Sequence, residues 1–252
     1  MTKKRYVIGI DEVGRAAQKR ASLARHSFVI GLDEVGRGSL AGPVTVATAM
    51  FNSKRFDLLK LKSNIRRSNL PKLKDSKKLT PKQRGIWFEY IKNNPQISYT
   101  LASVSSKVVD RINISKAANL AATRAFKKLT KKCKLTTKNC RVFLDGGLYV
   151  EKLKVKNSRQ RRGSPQAAKL KIKDFKTKTI IRGDEKIPAI MLASIVAKVS
   201  RDRLMTKLHK KYPRYGFAQH KGYGTKKHIK AIKKYGLSPM HRRSFKFKQA
   251  DN

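Results

Sequence analysis

Short apolar runs alternate with polar, lysine-rich segments along the chain, and the period within each run indicates the element it forms. Runs rich in β-branched residues and bounded by glycine or polar residues are typical of strands. Such runs predict strands over residues 28–32, 44–50, 97–104, 142–145 and 177–181. We expect the second strand to be the hairpin partner of the first, because it follows closely and is also β-branched.

Apolar residues at helical spacing predict helices between these strands and after them. The predicted helices span residues 81–94, 114–129, 188–212 and 225–236. Thr80 followed by Pro81 begins the first helix, because threonine caps a helix and proline suits its first position. Trp87, Phe88 and Ile91 form the expected core face of this helix.

The first predicted strand leads into two adjacent acids, Asp33 and Glu34, and then into the turn Gly36-Arg37-Gly38. Successive strand residues point to opposite faces of a sheet, so the two acids are expected on opposite faces. An acid within a buried strand is costly unless it is paired or binds a metal. Two interpretations follow: an ion pair with Arg37, or a metal site beside a turn that contacts phosphate.

This stretch has an incomplete duplicate near the N-terminus. Residues 7–15 nearly repeat residues 29–37, at an offset of 22 positions (29 − 7). The first copy contains Asp11 and Glu12 but lacks the second glycine of the turn and the Gly-Pro break that follows it. We therefore expect the second copy to be the working one. Residues 1–26 are interpreted as a flexible N-terminal extension.

The charge of the chain is the strongest indication of its partner. The sequence has 62 Lys and Arg against 15 Asp and Glu, a net charge of +47 over 252 residues. Self-repulsion at this charge favours a polyanionic partner, for which nucleic acid is the natural candidate. An anionic membrane is the other candidate. It is disfavoured because no apolar stretch is long enough to span a bilayer and no amphipathic anchor stands out.

Length and cysteine content narrow the class of protein further. The chain is long enough for one large domain or two small ones with a real core. Its two cysteines, Cys133 and Cys140, form no CxxC motif and have no histidine nearby, so neither a zinc site nor a disulfide framework is expected. No signal peptide is recognisable at the N-terminus. A reducing intracellular compartment, the cytoplasm, fits this pattern.

Acids are scarce in this chain, so their positions are informative. Four of them lie next to glycine or at the boundary of an apolar run: Asp33, Glu34, Asp145 and Asp184. Strand ends can converge on one edge of a sheet, and carboxylates without histidine suit Mg²⁺ or Mn²⁺. Two such ions about 4 Å apart can bind a scissile phosphate, activate water and stabilise the leaving 3′-oxygen. The alternative is that these acids neutralise lysines at scattered surface sites.

A series of motifs in this chain resembles the ribonuclease HII family, the type 2 ribonucleases H. The motifs are GLDEVGRGSLAGPV at 31–44, DSKKL at 75–79, VDRINI at 109–114, FLDG at 143–146, ASIVAKVSRDR at 193–203, YGFAQHKGYGT at 215–225 and HRRSF at 241–245. They occur in the family's order and cover roughly residues 27–247. The resemblance implies an α/β ribonuclease H-like fold, with a mixed central sheet flanked by helices and a helical C-terminal part.

The resemblance also implies a function. The expected activity is metal-dependent endonucleolytic cleavage of the RNA strand in RNA–DNA hybrids, with Mg²⁺ or Mn²⁺ in a two-metal mechanism. It includes incision 5′ of a single ribonucleotide embedded in duplex DNA, leaving a 3′-hydroxyl and a 5′-phosphate. We expect the protein to act as a monomer on these two nucleic-acid partners, with no membrane partner.

Carried over by motif, the resemblance assigns roles to individual residues. The metal-binding and catalytic acids would be Asp33, Glu34, Asp145 and Asp184. The residues that sense the 2′-hydroxyl and the RNA–DNA junction would be Gly36, Arg37, Gly38 and Tyr223. Candidate phosphate or positioning contacts are Ser76, Lys77 and Lys198. We interpret Asp202 as a structural ion pair within its helix, with Arg201 or Lys198.

Two features depart from the family's pattern. Asp145 and Asp184 are 39 positions apart (184 − 145), which is longer than expected, so the basic segment 151–176 is interpreted as an insertion. The N-terminal duplicate is the other departure. The expected organisation is therefore an extension over 1–26, a catalytic domain over 27–247 and a tail over 248–252.

Two other functions stay open at this point. The charge is compatible with a catalytically weak or inactive basic protein that binds nucleic acid on the same fold. A nuclease similar to ribonuclease HIII, acting on longer hybrids, is the second alternative. The four acids argue against the first alternative, and the Gly-Arg-Gly turn argues against the second.

Overall fold

The computed structural model of this protein describes residues 28–53, 70–135, 140–149 and 175–246. Its strands are β1 (Phe28–Val35), β2 (Val44–Asn52), β3 (Ile97–Val104), β4 (Cys140–Asp145) and β5 (Lys176–Ile180). Its helices are α1 (Pro81–Asn93), α2 (Ser106–Ile112), α3 (Ile114–Cys133), α4 (Gly183–Lys186), α5 (Pro188–Lys211), α6 (Phe217–His220) and α7 (Lys226–Tyr235). Two 3₁₀ turns complete the described part, Ser76–Lys78 and Pro213–Tyr215.

The strands form one mixed sheet in the order β3-β2-β1-β4-β5. β1 pairs antiparallel with β2, which confirms the predicted hairpin, and β2 pairs antiparallel with β3. β4 runs parallel to β1 on its other side, and β5 runs parallel to β4. Because β1, β4 and β5 are parallel, their carboxyl ends lie at the same edge of the sheet.

Helices cover both faces of the sheet, as expected for the mixed α/β class. α5 and α1 pack on one face, where Val29 of β1 contributes to the core, and α3 packs on the other, where Ile30 contributes. This alternation follows from the two-residue period of a strand. Gly31 allows α5 to approach closely, since an added Cβ would lie 2.1 Å from the carbonyl carbon of Ala189.

The predicted elements are confirmed, with small changes in their ends. β1 extends beyond residue 32 to Val35, so both of its acids lie within the strand. Thr80 caps α1 in a reciprocal pair of hydrogen bonds with Gln83, and Thr225 caps α7 through the backbone N–H of His228. The short helices α2, α4 and α6 were not predicted.

Several sequence-based expectations fall on segments that lie outside the described residues. These are the N-terminal extension with its duplicate motif, the basic insertion up to residue 174, and the tail at 248–252. The second copy of the duplicated motif forms β1 and the turn after it. Within the described ranges, no helix combines the length and the apolar character needed to cross a bilayer.

Candidate active site

Three acidic side chains converge where β1 and β4 run side by side. The two strands are parallel and pair up to Leu32 opposite Leu144, so the next residue in each strand is an acid, Asp33 or Asp145. Glu34 joins them, and one carboxylate oxygen from each of the three lies within 4.8 Å of the others. We call these three residues the carboxylate cluster.

Asp184 lies at the same edge of the sheet but is held differently. It is buried in α4, which follows β5, and its carboxylate accepts a hydrogen bond from Lys77 Nζ at 3.1 Å. The neighbouring Gly183 N–H donates to Asp145 Oδ1 at 2.7 Å, which ties α4 to the end of β4. The structure therefore places all four predicted acids at one edge and brings three of them to a common point.

Burial and mutual repulsion dominate the electrostatics of these acids. Burial raises the pKa of Asp33 well above its usual range, and the charges of Glu34, Asp145 and Asp184 raise it further. Burial raises the pKa of Glu34 to about 7, although Arg37 acts in the opposite direction. Burial also raises the pKa of Asp145. Several ionised carboxylates this close together are unfavourable unless cations compensate their charge.

The two oxygens of Glu34 have contrasting surroundings. Oε1 pairs with Arg37 Nη1 at 3.3 Å, so the ion pair considered from the sequence does form. Oε2 is buried and has no hydrogen-bond partner among the described residues. A buried acceptor without a donor is costly, and a divalent cation would satisfy it. Because hard oxygen ligands suit Mg²⁺ and Mn²⁺, the residues of the cluster fit such an ion.

Arg242 holds the turn at residues 36–38 in place through hydrogen bonds to its carbonyls. This arginine is 1% exposed and forms no salt bridge within the described part of the chain. Its guanidinium donates to the carbonyls of Gly36 and Arg37, each at 2.7 Å, and to the carbonyl of Gly42. Burial lowers the pKa of Arg242 to about 10, so it stays charged at neutral pH.

A second buried arginine, Arg201 of α5, supports the other side of the same turn. It donates to Ser39 Oγ at 2.8 Å and to the Pro43 carbonyl at 3.0 Å. Gly36 has a φ of +87°, and an added Cβ there would lie 2.3 Å from Arg201 Nε. Only glycine therefore allows the arginine to approach the turn this closely.

Tyr223 lies beside this turn because the loop that carries it is docked on residues 40 and 41. The Gly222 carbonyl accepts hydrogen bonds from the backbone N–H groups of Leu40 at 2.8 Å and Ala41 at 3.2 Å. The half-buried ring of Tyr223 lies 5.6 Å from the Arg201 guanidinium. The structure thus places Tyr223 close to the turn, as the predicted joint role of these residues requires.

The three remaining predicted site residues are each bonded to a protein group. Ser76 Oγ hydrogen-bonds Ser194 Oγ at 2.8 Å, and the Ser194 side chain in turn acts to lower the pKa of Asp33. Lys77 contacts Asp184, as described above. Lys198 Nζ pairs with Asp202 at 2.9 Å, which settles the partner of that acid in favour of Lys198. Ser76 and Lys77 therefore connect to the carboxylate edge, whereas Lys198 faces its own helix neighbour.

Sequence reasoning missed the roles of Arg201 and Arg242. Both lie inside motifs that carry the resemblance, but nothing local separates them from the other basic residues among the 62 in the chain. Their partners are backbone carbonyls far away in sequence, and side-chain type does not reveal such contacts.

The sequence of this chain is similar to known proteins over most of its length. A sequence model of the family described as Ribonuclease HII matches residues 30–248. A relative named Ribonuclease HII from Endomicrobium trichonymphae is 39% identical over 239 residues, which are 95% of this chain and 84% of the relative. Another from Pelagibacter ubique is 38% identical over 94% of each chain.

A solved structure shares the fold at lower identity. In the complex of PCNA with RNase HII from Archaeoglobus fulgidus, the similar chain is 22% identical with a TM-score of 0.60, covering 89% of this chain and 98% of that one. The expected ribonuclease H-like fold is thereby confirmed. With the signature acids and the glycine turn together at one sheet edge, and with a family match over residues 30–248, the chain belongs to the ribonuclease HII family.

Proposed function

We propose that this protein is a metal-dependent endoribonuclease that cleaves the RNA strand of RNA–DNA hybrids. We further propose that it incises duplex DNA on the 5′ side of a single embedded ribonucleotide, leaving a 3′-hydroxyl and a 5′-phosphate. The observation that carries this proposal is the carboxylate cluster, with its unpartnered Glu34 oxygen, beside the turn at residues 36–38.

Asp33, Glu34 and Asp145 would hold a divalent cation, and Asp184 would complete the set. Bound Mg²⁺ or Mn²⁺ would activate the attacking water and stabilise the leaving 3′-oxygen. Lys77 would hold Asp184 in place beside the site through the 3.1 Å contact. A solved structure described as Bst-RNase HIII in complex with Mn²⁺ has the same fold, with a TM-score of 0.61 at 16% identity.

The turn and Tyr223 would recognise the sugar at the cleavage point. The carbonyls of Gly36 and Arg37 are fixed by Arg242, so the peptide planes of the turn are set before a substrate arrives. An added Cβ on Gly38 would meet no described residue within 4 Å, which supports an approach of the ribose from that side. A 2′-hydroxyl both donates and accepts hydrogen bonds. Tyr223 would stack on the deoxyribose that follows.

Three further parts of the proposal concern the setting of the enzyme. The net charge of +47 supports a duplex as partner, bound through its phosphates with strong salt dependence. The free thiols Cys133 and Cys140 support a reducing compartment such as the cytoplasm. We propose that the enzyme works as a monomer, which light scattering of the purified protein tests.

The decisive experiment is an incision assay on a DNA duplex that carries one ribonucleotide, with Mg²⁺ or Mn²⁺ and at several salt concentrations. We expect a single cut 5′ of the ribonucleotide, and end-labelling should show a 3′-hydroxyl and a 5′-phosphate. An all-DNA duplex and a continuous RNA–DNA hybrid are the matched substrates. Binding without any cut would favour the inactive basic protein, and cleavage of the hybrid alone would favour a nuclease similar to ribonuclease HIII.

A further inference from the structure

Three histidines lie close to Tyr223, and none of them belongs to the carboxylate cluster. His228 of α7 is fully buried, and His241, in the segment after α7, is 3% exposed. Their Nε2 atoms lie 3.0 Å apart. His220, at the end of α6, stacks on the His228 ring at a centroid distance of 4.2 Å. Nothing in the proposed chemistry uses these rings.

The hydrogen bonds of the two buried histidines run in one direction. The Ser238 backbone N–H donates to His241 Nδ1 at 2.9 Å, so that nitrogen carries no proton. A neutral His241 therefore carries its proton on Nε2 and donates it to His228 Nε2. The proton of His228 then lies on Nδ1, which donates to the Tyr223 carbonyl at 2.9 Å. Fixed backbone groups at both ends determine the tautomer of each ring.

This arrangement holds only while both rings are neutral, because an added proton would place two hydrogens between the facing Nε2 atoms. Burial lowers the pKa of His228 to about 4, and burial lowers the pKa of His241 as well. His220 is the titratable ring stacked on the pair, and Tyr215 packs on His241 at 4.9 Å. The pair is therefore neutral at physiological pH.

The pair of histidines is connected to both parts of the proposed sugar-recognition site. His228 donates to the Tyr223 carbonyl. His241 directly precedes Arg242 in the chain, and Arg242 donates to the carbonyls of Gly36 and Arg37. His241 also forms a β-bridge with Ala41, just after the turn. The His228–His241 contact thus spans the gap between Tyr223 and the turn.

We propose that His241 and His228 are positioning residues that set the place of Tyr223 relative to the turn at residues 36–38. Through that spacing they determine the preference for a single embedded ribonucleotide over a continuous RNA–DNA hybrid. This inference rests on the proposed role of Tyr223 in recognising the junction. Neither histidine touches the substrate or the carboxylate cluster in this scheme.

Two variants of His241 test the proposal against a merely structural role. The amide nitrogen of His241→Gln reaches about as far as Nε2 and keeps a donor for His228, whereas that of His241→Asn is one methylene shorter and does not reach. The measured quantity is kcat/KM on the single-ribonucleotide duplex divided by kcat/KM on the hybrid. We expect His241→Asn to lower this ratio about tenfold, and His241→Gln to restore most of it.

Two controls separate the possible outcomes. His209→Asn makes the same change at a histidine outside the pair and should leave the ratio unchanged. In a Tyr223→Ala background His241→Asn should have no further effect on the ratio, because both changes remove the same positioned ring. Equal ratios for His241→Asn and His241→Gln, or additive effects with Tyr223→Ala, would overturn the inference. Failure of the unaltered protein to incise the single-ribonucleotide duplex would instead overturn the proposed function.

Discussion

The carboxylate cluster and the turn at residues 36–38 are neighbours, but they differ in how their buried polar groups are paired. In the cluster, acceptors outnumber donors: burial and like charges raise the pKa values, and Glu34 Oε2 has no partner among the described residues. At the turn, Arg242 donates to the carbonyls of Gly36 and Arg37, and Arg201 donates to the Pro43 carbonyl that follows. The first region has a buried oxygen without a described partner, whereas buried arginines hold the second in place.

This contrast suggests a division of labour. A site that must bind cations benefits from uncompensated negative charge, because the ions then supply the missing stabilisation. A site that must discriminate one sugar from another benefits from groups fixed in advance, because ordering them on binding would cost affinity. The protein pairs a region that requires a ligand with one that is preorganised.

The largest expected effect comes from removing a charge from the cluster. Asp33→Asn and Asp145→Asn should each lower cleavage of the single-ribonucleotide duplex by about 10³-fold, because a positioned cation loses a charged ligand. Fluorescence anisotropy should show that duplex binding survives. Substantial cleavage by either variant would mean that the cluster does not carry the chemistry.

Removing a charge should also relieve the cluster when no cation is present. The pKa of Glu34 is raised by folding from 4.5 to about 7, so the folded protein takes up a proton in this interval. Wild-type stability therefore falls, through this residue, as the pH rises from about 4.5 to about 7. Glu34→Gln escapes this loss and should gain, relative to wild type, on the order of 3 kcal/mol above pH 7.

Urea unfolding in EDTA at pH 4.5 and pH 8 measures this gain. The difference between the two proteins, rather than the wild-type curve, is the relevant quantity, since burial lowers the pKa of His228 and His241 and their contribution to stability rises with pH. Added Mg²⁺ should stabilise the wild type and shrink the gain. A gain that is equal at both pH values would show that Glu34 is not strained by its charge.

Substitutions in the turn should change stability through steric crowding rather than through charge. Gly36→Ala places a Cβ 2.3 Å from Arg201 Nε at a φ of +87° and should destabilise the fold by about 2 kcal/mol. Gly38→Ala is the matched control in the same turn, since its Cβ meets no atom within 4 Å in the part of the chain that the structure describes. We expect this variant to keep its stability in urea but to raise KM. Equal losses of stability in Gly36→Ala and Gly38→Ala would contradict the proposal that Arg201 packs tightly against the turn at Gly36.

Two adjacent lysines test whether Asp184 acts together with the carboxylate cluster. Lys77 pairs with buried Asp184, whereas Lys78 pairs with the more exposed Glu185. Lys77→Met should lower kcat/KM about tenfold, as expected when a residue that orients a metal ligand is lost. Lys78→Met should change it by less than about twofold because surface ion pairs contribute little. Steady-state kinetics with both proteins would show whether the distinction holds.

The smallest expected effect concerns the N-terminal duplicate. Asp11→Asn should leave incision unchanged, because β1 is formed by the second copy and brings Asp33 to the cluster. The same assay that detects the loss in Asp33→Asn serves as its control. Loss of incision in Asp11→Asn together with unchanged incision in Asp33→Asn would reverse the assignment of the two copies.

Local signals in the sequence were enough to predict the strands, the long helices and the candidate acids. Thr80 with Pro81 marks the start of α1 because capping bonds reach only three residues along the chain. The acids at strand ends were recognisable because an apolar run leads directly to them. Parallel pairing of β1 with β4 then brings Asp33, inside β1, next to Asp145 at the end of β4.

The partners of these residues were decided by tertiary structure. Arg242 lies 206 positions from Gly36, and Lys77 lies 107 positions from Asp184. Neither contact leaves a local pattern, because packing of distant segments selects one arginine or lysine among 62 basic residues. The sequence by itself determined which groups could do chemistry. Only the fold decided which of them are left unsatisfied for a cation and which are held rigid by buried arginines and histidines.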